Sequence, residues 1–251
     1  MMRNILSILL ICLVNVSFAQ IAERPNPQRL YNNLSKEFPQ FLNTAEAEQL
    51  EDKLEQFSNQ TSNQICIVIV DDLNGLEAQD YSTKIINEWG IGQKSANNGI
   101  VILIKPTGGS EKRDLSIAIG YGLEGAIPDL ATKRIREQEM YPYLKTGDNY
   151  TALNKATDVL MQLAKGEINV KDYTRQTGKK GINPFILIVI VILIMIFKGF
   201  GGGGHTFSGN GSRRHWGGGF GGGGFGGGSS GGGFGGFGGG SSGGGGSSGR
   251  W

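Results

Sequence analysis

Gln64-Ile-Cys-Ile-Val-Ile-Val70 and Gly99-Ile-Val-Ile-Leu-Ile104 decide the fold of this 251-residue chain. Each is a short, unbroken, mostly β-branched run, as expected of a strand covered on both faces. Asp71-Asp72 stops the first run, and Pro106 with Gly108-Gly109 closes the second. Leu115–Ile119 gives a third. Helical patterns lie between them. Asn43 or Thr44 can cap a helix whose first turn holds Glu46 and Glu48, where the helix dipole favours acids. Leu50, Leu54 and Phe57 then repeat at helical spacing. Tyr81, Ile85 and Trp89 mark a second helix, ended by Gly90 and Gly92. Pro128 suits the first turn of another, running towards Tyr141. Tyr150, Leu153, Leu160 and Leu163 mark a last amphipathic helix. Buried strands alternating with helices predict an α/β layered domain with a small mixed or mostly parallel sheet of three or four strands.

The rest of the chain is different in kind. Of 43 glycines, 13 lie in residues 1–198 and 30 in the last 53. A segment so poor in aliphatics buries too little surface to offset its ordering entropy, which predicts a disordered tail over 201–251. Met1–Gln20 reads as a secretory signal: Arg3, then the apolar stretch Ile5–Val14, then Ser17-Phe18-Ala19 with cleavage after residue 19. Residues 20–28 read as a linker. Phe185–Phe197 is apolar throughout, and 182–200 is expected to cross the membrane once, since a span needs about 20 residues. Export of the domain would then place it outside the inner membrane and the tail in the cytoplasm.

All 22 acidic residues lie between Glu23 and Asp172, and 19 basic residues fall in 20–181. That region therefore carries a net −3, which argues against a nucleic-acid partner. After signal removal one cysteine remains, Cys66, inside an apolar strand, where core packing is expected rather than reactivity. The only histidines, His205 and His215, are in the tail. The domain thus has no Ser/His/Asp triad, Cys/His dyad or histidine zinc site. Oxygen ligands are what is left. In open α/β sheets, ligands sit beyond the carboxyl ends of strands. Asp71 and Asp72 end one strand, Asn97 and Asn98 precede the next, and Glu124 and Asp129 follow the third. If they converge, carboxylates and amide oxygens suit a hard cation, calcium first and magnesium second.

Three ordered motifs carry a resemblance. Trp89-Gly-Ile-Gly92, Asn98-Gly-Ile-Val-Ile-Leu-Ile104 and Gly120-Tyr-Gly-Leu-Glu-Gly-Ala-Ile-Pro-Asp129 resemble those of the TPM domain family, and Thr61–Val70 is similar to its first buried strand. With signal, span and Phe-Gly-rich tail ending in Ser-Gly-Arg-Trp251, the chain resembles YgcG-like members. The resemblance implies a three-layer α/β/α sandwich over 29–176. It implies a metal site at Asp71, Asp72, Asn98, Glu124 and Asp129. Relatives usually carry an acid where Asn97 stands, a substitution that removes one ligand charge. The family is linked to calcium binding, acid phosphatase activity and photosystem repair. The leading expectation is a cation-binding envelope module with an unidentified envelope partner and an open oligomeric state. The alternatives are a metal-assisted phosphatase with Asp71 or Glu124 as base, and a scaffold acting through spaced tail aromatics and arginines.

Overall fold

The computed structural model describes residues 20–109, 112–175 and 234–251. The chain forms a mixed α/β fold around a five-stranded sheet. The elements, in order, are β1 (Tyr31–Asn33), α1 (Thr44–Thr61), β2 (Gln64–Ile69), α2 (Ala78–Trp89), β3 (Gly99–Lys105) and β4 (Asp114–Ile119). They are followed by α3 (Asp129–Arg134), α4 (Tyr141–Leu144), α5 (Asn149–Lys165), α6 (Val170–Arg175) and β5 (Gly245–Arg250). The strands lie side by side in chain order. β1, β2 and β3 are parallel, while β4 runs antiparallel to β3 and β5 antiparallel to β4.

The β-branched runs are strands because both of their faces are covered. Side chains alternate across a pleat. Ile65, Ile67 and Ile69 of β2, with Ile100, Ile102 and Ile104 of β3, face the core built with α1, α3 and α5. Cys66, Val68, Val101 and Leu103 face the other core, closed by Tyr81, Ile85, Ile86 and Trp89 of α2. Asn43 caps α1 with a full capping box, its side chain accepting from the Glu46 amide while Glu46 reaches back. Gly90 ends α2 in a left-handed cap. The helix begun after Pro128 passes through a π-helical segment, Ile135–Met140, before α4. Glu51 is buried on α1 and clamps the edge strand: its two oxygens accept the Leu30 and Tyr31 amides at 2.9 and 2.6 Å. Burial pushes this carboxyl above its usual range, against the pull of those two amides.

Three features differ from the sequence reading. Residues in 20–28 are pinned along α2: Ile21 is buried, the Ala22 amide donates to the Tyr81 hydroxyl, and the Trp89 indole donates to the Ala22 carbonyl. The sheet has five strands rather than three or four, and is of the mixed kind expected, with two parallel and two antiparallel pairs. Most consequentially, the tail is not disordered to its end. Residues 234–251 are ordered against the domain, and β5 is the fifth strand. The signal at 1–19 and the span at 182–200 lie outside the described residues. Among the described residues no helix is long and apolar enough to cross a membrane.

Candidate functional site

The five acidic and amide positions singled out by the sequence do not converge. β2 and β3 are parallel, so Asp71 lies beyond the carboxyl end of β2, past the Ile69–Ile104 pair. β4 is antiparallel, so its carboxyl end returns to the opposite pole, beside Gly99. Six strand residues at about 3.3 Å each separate the poles by about 20 Å. Asn98, Glu124 and Asp129 are at one pole, while Asp71 and Asp72 are at the other. A parallel β4 would carry Glu124 and Asp129 to the pole of Asp71 and Asp72 but leave Asn98, which precedes β3, at the other; the antiparallel β4 returns them to the pole of Asn98 instead. The five residues therefore do not fit a single cation, and Asp71 and Glu124 cannot act on one substrate atom. Among the described residues no group of three or more His, Cys, Asp or Glu is placed to hold a metal ion.

Asp71 and Asp72 are occupied locally. Asp71 accepts from the Ser35 hydroxyl and from the Lys36 and Glu37 amides, tying the loop after β1 to the end of β2. Slight burial pushes its carboxyl up, but the Ser35 hydroxyl, the two amides and the Lys36 charge outweigh this and hold it below its usual value. Asp72 accepts the Asn74 amide at 2.5 Å and shapes the following turn. Cys66 is fully buried beside the Asn32 amide, and burial pushes its thiol up, as expected of a core cysteine.

The other pole is built from the glycine motifs. Gly92 and Gly99 press together: a Cβ on Gly92 would lie 2.4 Å from the Gly99 nitrogen. Gly122 sits as tightly under the Ala96 carbonyl. These close approaches bring the α2–β3 loop and the β4–α3 loop side by side. Asn98 holds the first loop, its oxygen accepting the Gln93 amide at 2.8 Å and its nitrogen donating to Ser62 and Asn63.

Along this pole runs the chain's own C-terminal segment. The Gly239 and Gly240 amides donate to the Gly90 and Gly92 carbonyls at 2.7 and 2.9 Å, and the Lys94 amide donates to Gly238. The Asn97 oxygen accepts both the amide and the hydroxyl of Ser241, at 3.0 and 2.8 Å. Asn87 makes a paired amide contact with Ser242, accepting its N–H at 2.9 Å and donating to its carbonyl at 3.2 Å. Gln79 donates to the Gly244 and Gly245 carbonyls. Asp129 accepts the Gly246 amide at 2.8 Å, and Thr132 and Arg136 donate to the Ser247 hydroxyl. The Glu124 carboxylate lies against Gly245. β5 then pairs with all of β4, from Gly245 opposite Ile119 to Arg250 opposite Asp114. Arg250 pairs with Asp114 at 3.0 Å. Trp251 is 6% exposed and stacks on Tyr141, with ring centroids 6.3 Å apart. At the entry, Phe237 packs on Phe234 and Trp89.

This seat explains why the segment is glycine. A Cβ on Gly240 would fall 2.3 Å from the Ile91 carbonyl, and one on Gly246 would fall 2.0 Å from the Ile117 carbonyl. Gly246 also holds φ at +120°, a conformation reached readily only without a side chain. The sequence reading did identify Asn98, Glu124 and Asp129. It missed Gln79, Asn87 and Arg136, which lie on helix faces with no motif. The signal that could have found the groove was the tail's own end: paired serines among glycines, closed by a terminal tryptophan.

The mixed α/β fold thus seats the extended backbone of residues 238–250 among amide and carboxylate side chains and along β4. The TPM domain matches residues 36–163, and the chain belongs to the TPM domain family. It is similar to the N-terminal domain of a P. gingivalis protein solved by NMR, with 22% identity over 55% of this chain and 83% of that one, at a TM-score of 0.47. It is also similar to the N-terminal domain of a Corynebacterium glutamicum protein, with 12% identity, coverage of 59% and 86%, and a TM-score of 0.39. No curated protein matches the chain.

Proposed function

We propose that the chain is an exported, YgcG-like TPM protein of the cell envelope that works by binding rather than hydrolysis, and that its groove binds extended polypeptide backbone. The observation that carries this reading is the direction of the groove's polar side chains. Asn87, Asn97, Gln79 and Asp129 all spend hydrogen bonds on main-chain groups of residues 241–246. This is strand addition to a sheet edge, in which main-chain hydrogen bonds give affinity and side-chain seats give specificity. The seats here admit glycine and serine and end in a tryptophan.

The reading constrains topology. A single crossing by 182–200 would leave the domain and the tail on opposite faces of a bilayer, and no molecule so arranged can form the β4–β5 ladder. The expected cytoplasmic tail is therefore replaced by one that shares the domain's extracytoplasmic side. Single cysteines at Ser248 and at exposed Lys145, probed on intact cells with an impermeant thiol reagent under mild denaturation, give the test. Both label from outside on this reading; labelling of Lys145→Cys alone overturns it.

A divalent cation, calcium first, is the second reading. It is supported by Glu124 and Asp129 sharing one rim, against Gly245 and Gly246. Asp71 and Asp72 take no part in it. Calcium titration by calorimetry of the full chain and of a chain ending at residue 233 tests it. Binding lost in Asp129→Asn supports this site, and heat unchanged by that substitution removes it.

A further inference from the structure

We propose that the groove along β4 is also a docking site for the C-terminal strand of a second copy, so that the protein can assemble by exchanging residues 234–251; this rests on the groove reading above. Three observations lead there. β5 is not the second arm of a hairpin. It reaches β4 from the far end of the chain, with 58 residues between Arg175 and Phe234. Nothing in the ladder depends on covalent continuity: each partner of the strand, from Gly90 through Asp129 to Tyr141, meets an atom of residues 234–251 that any copy carries. Finally, without β5 the sheet ends in β4, whose six residues would present an edge of unpaired backbone, and such an edge is a template for a strand from another chain.

A covalent tether raises the local concentration of a chain's own strand above that offered by free copies. In dilute solution each groove holds its own tail. Exchange becomes competitive where copies are crowded, as on a membrane, or where a groove has lost its own strand. Such exchange closes a pair if reciprocal and builds a chain if not.

The test uses a synthetic peptide of residues 234–251 and two acceptors: the chain ending at residue 233, and the full chain carrying Gly246→Ala, which keeps the full length but unseats the strand. The expected result is 1:1 peptide binding to both acceptors. A Gly246→Ala peptide should be weaker by about tenfold or more, and the intact chain should bind the peptide far less. If the shortened chain is destabilised but neither acceptor takes the peptide, the strand seats only when tethered, and exchange is overturned while the groove reading stands. If removing 234–251 changes neither stability nor amide protection of β4, both fall together.

Discussion

Gly246→Ala adds a single methyl group, and the structure assigns it a large effect. In a tail unstructured in both the folded and the unfolded protein this change would be silent, since it narrows both ensembles alike. In the seated strand the new Cβ lies 2.0 Å from the Ile117 carbonyl and 3.0 Å from the Ala118 Cα, on the backbone of β4, which cannot move without breaking its pairing with β3. The residue must also hold φ at +120°. Strain of that kind costs about 1–3 kcal/mol, and the overlap adds to it. The total is bounded, because the strand can leave: the loss saturates at the free energy with which 234–251 dock. We expect about 3 kcal/mol. At roughly 2–4 °C per kcal/mol for a domain of this size, that is a fall in Tm of about 6–12 °C by circular dichroism or calorimetry. Gly235→Ala is the control, since a Cβ there meets nothing within 4 Å. A Gly246→Ala protein that melts with the wild type, or a Gly235→Ala protein that falls equally, refutes the seating.

Other expectations follow from the same geometry. Trp251→Ala removes a buried ring stacked on Tyr141. A truncation of that kind in a core costs about 3–5 kcal/mol, but here it meets the same ceiling, so the Gly246→Ala/Trp251→Ala double variant should melt no lower than the chain ending at 233. Additive losses would contradict a single docking unit. At the opposite pole, Asp71→Asn should destabilise by about 1–2 kcal/mol through weakened loop hydrogen bonds. Because the folded carboxyl is held below its unfolded value, its contribution is present above the unfolded pKa and is lost as pH falls through the folded one. The gap between wild type and variant in urea melts should thus close on acidification, and a gap constant with pH would remove the carboxylate from the loop. The same variant should leave any ligand binding at the Asp129 pole unchanged.

The strands are legible because burial on both sides leaves an unbroken β-branched record, and the start of α1 because Asn43 or Thr44 can cap it ahead of Glu46 and Glu48; the structure selects Asn43. Direction was not legible. The connection between β3 and β4 is short enough for a hairpin and carries Gly108 and Gly109, and the antiparallel direction that it allows is what sends Glu124 and Asp129 to the pole opposite Asp71 and Asp72. The tail failed for another reason. Over its 53 residues the average composition offers no core of its own. Residues 234–251 do not need one: β4, α2 and α3 supply the apolar cover and the hydrogen-bond partners, and glycine is what allows so close an approach. Intrinsic disorder arguments hold for a segment alone, not for one whose receptor is in the same chain. Asn97 shows the same lesson. Read as a lost carboxylate, it proves to be the acceptor for both donors of Ser241, and it is the neutral amide oxygen that this contact uses.

Amide hydrogen exchange on the full chain tests the central claim most directly. If residues 234–251 occupy the groove, amides in Gly245–Arg250 should be protected well above the rate of an unstructured glycine-rich peptide, and removing 234–251 should lower protection along Asp114–Ile119 while β2 stays protected. Exchange of Gly245–Arg250 at the unstructured rate, with β4 unchanged by the deletion, would contradict the account.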